Sequence, residues 1–415
     1  MKLLFITLGD IRNIDSHDIY SDLMRSLAKD GHEVFIVSPV ERRNKKPTFL
    51  IENVNSSDWH KNVHILKIKT GNIQKTNFIE KGISTILIEG QIKKGIKKYF
   101  KSEHFDLILY STPPITIYKP IKYLKKKCGC KTYLMLKDIF PQNAVDLGML
   151  SKSGLKAPLY KAFRKKEIKL YEISDRIGCM SKANIDFVIK NNKEIDPSRV
   201  EIFPNCIDIQ EFKMSNDEVK SFRKKYELPL DKKIYVYGGN LGRPQDISFI
   251  IECLKKKADD NDIFFLVAGD GTEFSKLEEY QKSSSQNNFK LIKRLPKDDF
   301  DKMIYACDVG LIFLDHRFTI PNFPSRFLSY LQAKLPVLAC TDSNTDIGEI
   351  ITTNNLGWWS CSDSVEGFEK IIDESKKADL KKIGDNGFKF LKANYDVKKW
   401  DKHLLNGIGD KNGRI

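Results

Sequence analysis

The chain has 415 residues, 41% of them hydrophobic and 30% charged, with a formal net charge of +15. That length suits two or three domains, each able to bury its own core, and the composition excludes an intrinsically disordered chain. The excess positive charge calls for an anionic partner, either nucleic acid, an anionic membrane or a phosphorylated substrate, with a merely lysine-rich composition as the plain alternative.

No run of about 18 apolar residues offers a membrane span, and Met1–Leu8 is too short for the apolar segment of a signal peptide. Among the eight cysteines only Cys128 and Cys130 are close in sequence. One C-x-C without a second pair does not make a zinc site, so free thiols in a reducing cytoplasm are expected.

Lys2–Leu8 reads as a buried strand, followed by Gly9, Asp10 and a polar loop. A helix with Ile19, Leu23 and Leu27 on one face ends at Asp30-Gly31, and Glu33–Val37 is the next strand. This order opens a doubly wound α/β domain. The polar stretch 41–58 is read as a mobile loop. Further on come a helix over 78–99 with a basic end, a strand over 106–110, a basic helix over 115–127 and a strand over 131–136. A basic helix over 155–171, a strand over 177–180, a helix after Ser181 and a strand over 200–203 complete the first half. Residues 208–228 are read as helical. The second half alternates strands over 234–237, 263–268, 289–295, 309–314 and 337–339 with helices over 247–256, 273–282, 299–306 and 324–333. The pattern implies two α/β domains with a cleft between them, and a charged helical tail from Leu380.

Val236–Arg243 stands out as strand, glycine turn and cation ahead of a helical stripe of Ile247, Ile250, Ile251 and Leu254. Glycine lets backbone approach a bound group closely, a helix start favours an anion, and Arg243 adds a permanent cation. A diphosphate held at this junction is one reading and a tight turn the other. Gly269-Asp270-Gly271 is a second such junction in the same domain. Pro324, Ser325 and Arg326 open a third helix and could face an anion or simply cap it. Asp138, just past a strand, is a candidate general base or sugar-hydroxyl partner. His17, by the first loop, is a weaker candidate. The triplets Asp260-Asn261-Asp262 and Asp299-Phe300-Asp301 read as a polar turn and a helix start rather than as metal ligands, so no metal is expected. The lysine-rich helices near 93–101, 119–127 and 161–169 suit an anionic membrane face. No RNA-binding signature is present, which leaves no support for nucleic acid.

Taken together, LAKDGHEVFIVSP, LKDIFPQNAVDLGML, IFPNCIDIQEF, YGGNLGRPQDI, VAGDGTE, YACDVGLIFL and FPSRFLSYLQAKLPVLA resemble, in order and spacing, bacterial glycosyltransferases of family 4. The resemblance covers nearly the whole chain. It is nearest the branch in surface-polysaccharide assembly that includes aminosugar (L-fucosamine-type) transferases. It implies the GT-B fold, an α/β architecture of two Rossmann-like doubly wound domains facing across a cleft. The expected division is an acceptor-binding domain over 1–205, a nucleotide-sugar-binding domain over 206–385 and a tail over 386–415 that packs back toward the first domain. The implied reaction is a retaining, metal-independent transfer from a nucleotide sugar, expected to be a UDP-sugar, with no cofactor. The acceptor would be a polyprenyl-diphosphate-linked or saccharide molecule, met at the inner face of the cell membrane.

By the same resemblance Gly239, Asn240, Gly242 and Arg243 match the family's diphosphate turn. Gly269, Asp270 and Gly271 match its second donor loop, and Arg294 and Leu295 fall where backbone meets the nucleobase. Pro324, Ser325 and Arg326 match its diphosphate-facing helix start. Asp138 matches the aspartate of its D-x-x-P segment, and Gly9 and Asp10 match its N-terminal loop. The chain departs from the family at Pro321 and Ser329, where two glutamates often stand. A two-Rossmann nucleotide-sugar epimerase and a non-catalytic sugar-nucleotide-binding protein are the other readings.

Overall fold

The computed structural model describes residues 1–52, 57–73, 78–293 and 295–408. The chain forms two compact units, Met1–Asp208 joined by the chain from Val397 onward, and Ile209–Asp396.

The first unit carries strands β1 (Lys2–Ile6), β2 (Glu33–Glu41), β3 (Phe49–Glu52), β4 (Val63–Thr70), β5 (Leu107–Ser111), β6 (Lys131–Leu136), β7 (Arg176–Cys179) and β8 (Val200–Ile202). They form one sheet in the order β3-β4-β2-β1-β5-β6-β7-β8. All neighbours are parallel except β3 against β4. Helix α1 (Ile19–Lys29) begins at Asp18, whose carboxylate accepts from the Tyr20 and Ser21 N–H groups, and ends before Gly31 at φ +87°. The other helices are α2 (Phe78–Tyr99), α3 (Tyr118–Cys128), α4 (Gln142–Asp146), α5 (Ala157–Ile173) and α6 (Lys182–Asn191).

The second unit carries α7 (Asn216–Lys225), β9 (Lys233–Asn240), α8 (Ile247–Lys256), β10 (Ile263–Asp270), α9 (Phe274–Ser283), β11 (Phe289–Ile292), α10 (Lys297–Tyr305), β12 (Val309–Phe313) and α11 (Arg326–Gln332). It continues with β13 (Val337–Thr341), α12 (Ile347–Thr353), β14 (Gly357–Cys361), α13 (Val365–Lys377) and α14 (Leu380–Asn394). Its sheet is parallel throughout, in the order β11-β10-β9-β12-β13-β14. Parallel strands covered on both faces read as near-continuous apolar runs, as in Ile263–Ala268, where every residue is buried.

Helix α15 (Val397–Ile408) returns to the first unit. Val397 and Leu404 join the core of β1, β2 and α1, and Trp400 meets the Phe203 ring edge-on at 5.8 Å. Ser26 on α1 donates to Asp401. Helix α14 belongs to the second unit, so the chain leaves that unit only after Asp396.

Several segments differ from the sequence reading. The stretch read as a loop over 41–58 contains the edge strand β3, whose partner β4 was also not read, although VHILKIKT alternates over 63–70. The helix expected over 208–228 shrinks to α7, opened by a reciprocal Ser215–Glu218 capping box. Strand β9 does not stop at Tyr237 but continues to Asn240, paired with β10 to the end.

Candidate active site

In each sheet the crossovers change direction once, between β1 and β5 in the first and between β9 and β12 in the second. Open α/β sheets bind ligands beyond the strand carboxyl ends at such switch points. Nearly all the residues singled out in the sequence fall there.

In the second unit, Gly238–Asn240 run alongside Ala268–Asp270 in register. A Cβ added to Gly269 would lie 1.8 Å from the Gly239 carbonyl oxygen, and one on Gly271 would lie 2.2 Å from that of Leu241. No side chain fits either place. The pairing goes on past the strands, because Leu241 N–H donates to Asp270 O at 3.1 Å and Glu273 N–H to Leu241 O at 2.9 Å. Asp270 turns back on this loop, its carboxylate accepting from the Gly271 N–H. The two glycine turns are therefore one backbone platform.

The turn is not the start of a helix. A 3₁₀ turn, Arg243–Gln245, follows Gly242, and α8 begins only after Asp246 at φ +45°. Gln245 Oε1 accepts from the Asn240 amide at 2.9 Å and from the Gly242 N–H at 3.2 Å. Asp246 caps α8 by accepting from the Phe249 N–H. This corrects the expectation of an anion at the α8 N-terminus, since an acidic side chain already occupies that end. Arg243 stands in the turn with its side chain 59% exposed, 3.9 Å from Glu273, a carboxylate shared with Lys276.

The second cation is held more tightly. Arg326, the first residue of α11, donates to the Gly238 carbonyl and stacks over the Tyr237 ring at 4.3 Å. A Cβ on Gly239, which has φ +138°, would meet its guanidinium at 2.6 Å. Tyr330 on the same helix accepts from the Gly238 N–H and donates to the Leu311 carbonyl at 3.0 Å. These bonds fix α11 against β9 and β12. Among the described residues no acidic side chain pairs with Arg326, so its charge stays available to a ligand.

Pro324 and Ser325 lie just before α11, their carbonyls accepting from Phe327 and Leu328, and the Ser325 side chain makes no capping bond. Pro321 is buried, and Ser329 faces solvent on α11. Leu295 is half-buried beyond β11, and Arg294 lies outside the described residues. Asp315, fully buried at the end of β12, is bound by both carboxylate oxygens to Arg317, and its N–H donates to Pro244 O at 3.0 Å. It thereby joins the two sides of the switch point, a role with no sequence signal beyond its position after a strand. Asp246, Asp315 and His316 form a close group with ligand-type atoms among the described residues. Asp315 is committed to Arg317 and Asp246 to the helix cap. The D-x-D triplets are also engaged: Asp260 and Asp262 hold Lys376 at 2.9 Å, and Asp299 binds Lys225 and Tyr226.

In the first unit the switch point is built from side chains around one buried lysine. Lys67 on β4, 1% exposed, donates to Asp10 Oδ1 at 2.6 Å, Ser38 Oγ at 2.8 Å and Ile11 O at 3.0 Å. Ser38 in turn donates to Gly9 O at 2.7 Å. Gly9 and Asp10 are thus set by a lysine that sequence reading did not single out, on a strand it did not see. Burial lowers the Lys67 pKa, with Asp10 opposing. Burial also acts to raise Asp10, but Arg12 and Lys67 outweigh it and hold that carboxyl below its usual value.

Asp138 follows β6 and is tied down by its neighbours. Its backbone carbonyl accepts from Thr112 Oγ1 at 3.0 Å, and the Asn143 amide donates to both carboxylate oxygens, at 2.8 and 2.7 Å. Burial raises its pKa to about 6, although the Ile139 N–H and Asn143 work against it. Beside it Lys137, over the Phe203 ring, is lowered to about 8 by burial. His17 takes no part in the Gly9–Asp10 network. Its ring lies 3.3 Å from Arg25 and 3.4 Å from Asp22, a buried pair that also holds Asp208.

Residues 218–390 match the family model "Glycosyl transferases group 1". The chain is 24% identical over 301 residues to the probable glycosyltransferase WbjE of Pseudomonas aeruginosa, covering 72% of this chain and 74% of that one. It is 23% identical over 251 residues to the putative colanic acid biosynthesis glycosyl transferase WcaI of Escherichia coli K12, 60% of each. Its structure is similar to sucrose-phosphate synthase of Thermosynechococcus elongatus, with TM-score 0.71 and 13% identity over 98% of this chain and 97% of that one. Anabaena HepE, solved with UDP and glucose, aligns with TM-score 0.69 and 13% identity over 98% of both chains. Residues 218–390, within the second unit, thus match the group 1 glycosyl transferase model, in a chain with the GT-B fold.

Proposed function

We propose that the chain is a retaining, metal-independent glycosyltransferase that uses a UDP-sugar. The observation that carries this is the side-chain-free backbone platform of Gly239, Gly269 and Gly271, with Arg243 and Arg326 beside it. Such a platform lets a diphosphate lie against backbone, and two cations next to it are suited to the charge that builds on a departing phosphate. Donors fixed in advance at that position act more strongly on the transition state than on the ground state. The relatives' names and the HepE complex with UDP and glucose support the same reading.

In the proposed reaction the bond from the sugar's anomeric carbon to the phosphate oxygen breaks, and the acceptor oxygen bonds to that carbon on the same face. The acceptor's proton passes to the leaving phosphate, so no protein nucleophile is needed. Asp138, held by Asn143, positions sugar or acceptor hydroxyls from the first unit. Gly9 and Asp10 are on the acceptor side. With Pro321 and Ser329 in place of acids, sugar and ribose contacts come from backbone and other side chains. The acceptor we favour is a lipid-linked saccharide of capsule or O-antigen-type assembly at the inner face of the cell membrane, and an N-acetylated aminosugar is among the candidate donors.

A panel of nucleotide sugars, tested for binding and hydrolysis with and without EDTA on wild type and Arg243→Ala, examines the reading. Binding of UDP-sugars that ignores EDTA, with turnover falling on the order of 100-fold in the variant, is expected. Wild-type turnover in Arg243→Ala, or loss of activity with EDTA, would refute that assignment.

A further inference from the structure

Four crossovers of the first unit step the same way along the sheet, and the first three carry the basic helices: β4 to β5 through α2, β5 to β6 through α3, and β6 to β7 through α5. Right-handed crossovers place all three helices on one face. Ring contacts join them, Lys97 of α2 lying 4.8 Å over Tyr123 of α3 and Lys169 of α5 lying 5.8 Å over Tyr118 of α3. These three helices hold fifteen lysines and arginines against four glutamates. They therefore supply most of the chain's net charge of +15. Three of the four glutamates are already paired, Glu80 with Arg42, Glu89 with Lys119 and Glu167 with Arg164.

The charge is ordered along each helix. On α2 the buried stripe is Ile88, Ile92 and Ile96. The opposite stripe starts with Ile83, Ile86 and Leu87, which are 55%, 59% and 54% exposed. It ends with exposed Lys94, Lys97 and Lys98. Around the start of α5 the pattern repeats, with Leu155 and Leu159 exposed, then Lys161, Lys165 and Lys169. A shallow groove of about 380 Å³ runs along that outer side, between Tyr160, Ile168 and these lysines. In a parallel sheet, helices that follow β4 and β6 start at the strand carboxyl ends. The exposed apolar side chains therefore lie at the edge that carries Asp10 and Asp138, and the lysines lie further down the face.

We infer that the α2–α3–α5 face docks on an anionic bilayer, with the lysines held by lipid headgroup phosphates and Ile83, Ile86, Leu87, Leu155 and Leu159 entering the interface. Exposed apolar residues are unfavourable in water and favourable at a bilayer boundary, and basic side chains beside them add electrostatic attraction. The arrangement sets the carboxyl edge of the first sheet against the membrane, within reach of a lipid-borne acceptor. The inference deepens the acceptor reading above and rests on it for its purpose, but docking itself is measured without donor or acceptor.

Co-sedimentation of the full chain with phosphatidylcholine vesicles, and with vesicles of phosphatidylcholine and phosphatidylglycerol in equal parts, tests it. Wild type is expected on the anionic vesicles only, with binding that weakens as salt rises. Lys161→Gln/Lys165→Gln/Lys169→Gln removes three exposed lysines that pair with no described carboxylate, and should weaken partitioning on the order of 100-fold. Ile83→Ser/Leu87→Ser should leave the low-salt attraction and abolish what persists at high salt. Both variants should bind nucleotide sugar like wild type, which separates a docking failure from a failure of the transferase reading. Equal binding to neutral vesicles, unchanged binding in the lysine variant, or a preference for duplex DNA over anionic vesicles would each overturn the proposal.

Discussion

At its carboxyl edge the second sheet presents backbone, whereas the first presents ionisable side chains, from the buried Lys67 to the half-buried Asp138 and the exposed Asp10. Beyond β9 and β10 the strands approach so closely that side chains are excluded, and the cations Arg243 and Arg326 are added at the margin. Beyond β1, β4 and β6 the surface is held by Lys67, Asp10, Ser38, Asp138 and Asn143, with the pKa values of Lys67 and Asp138 displaced by burial and that of Asp10 by its cations. A backbone platform suits a ligand part that never varies, such as a diphosphate. Side chains are what a chain can change to suit a different acceptor. The second edge should therefore fail through steric loss and the first through pH and polarity.

The largest effect is expected from Gly269→Ala. Its Cβ would stand 1.8 Å from the Gly239 carbonyl oxygen, and a backbone atom cannot swing away as a side-chain tip can. Parting β9 from β10 should cost about 3 kcal/mol and remove donor binding altogether, which thermal unfolding and nucleotide-sugar titration would show. A normal Tm with normal donor affinity would mean that the two glycine turns are not one platform. Next in size is Arg326→Ala. It loses the stacking on Tyr237 and the bond to Gly238 O, and turnover should drop on the order of 100-fold while the fold survives. Steady-state kinetics decide this, and a change in acceptor KM alone would move Arg326 out of the donor site.

The first edge should respond more mildly. Lys67→Met keeps the aliphatic stem but takes a donor from Ile11 O, Ser38 and Asp10, of which Ser38 keeps the Ile11 N–H and Asp10 keeps Arg12. A loss of about 2 kcal/mol is expected, because Asp10 is 40% exposed and can turn to water. Acceptor KM should rise with donor affinity unchanged. An equal change in both would show that the Gly9–Asp10 loop does not serve the acceptor alone.

Sequence periodicity alone was enough to place most of the strands and helices, because parallel strands and their covering helices carry strong apolar patterns. What it missed has physical reasons. Residues 63–70 alternate, but the lysine in their middle, Lys67, looks like a surface residue until its three buried partners are known. The glycines of 238–242 suggested a turn because glycine is common in turns. Here Gly238 and Gly239 continue the strand, with the Arg326 guanidinium where a Cβ on Gly239 would stand, and it is Gly269 on the paired strand whose Cβ the Gly239 carbonyl excludes. Arg326 could be picked from its place at a helix start, but its contact with Gly238 spans 88 residues and no local pattern encodes it. Asp315 was hidden likewise, since its N–H reaches the distant Pro244 O, whereas Asn143 and its partner Asp138 are close in sequence but form no recognised motif.

A pH comparison, which leaves activity aside, separates the two edges most sharply. Asp138 titrates at about 6 in the folded chain, against an ordinary value of 3.8, because burial disfavours its charge. A carboxyl whose folded pKa is raised adds stability that is complete below about pH 4 and is lost as pH climbs through 6. The loss should reach no more than about 3 kcal/mol above pH 7. Asp138→Asn cannot titrate, so its stability should fall less than that of wild type across that window, where Glu167 and Asp22 titrate in both, and should meet or exceed wild type at pH 7. Denaturant unfolding at pH 4.5 and pH 7 reads the difference directly. Arg326→Ala, measured in parallel, should shift stability by the same amount at both pH values, since no group with a displaced pKa in that window touches it on the glycine platform. If Asp138→Asn followed the wild-type slope, the carboxylate would already be solvated or charge-paired in the folded chain. Asp138 would then be a free ligand for a hydroxyl rather than a group held ready by burial, and the contrast between a backbone-built and a side-chain-built edge would lose its chemical half.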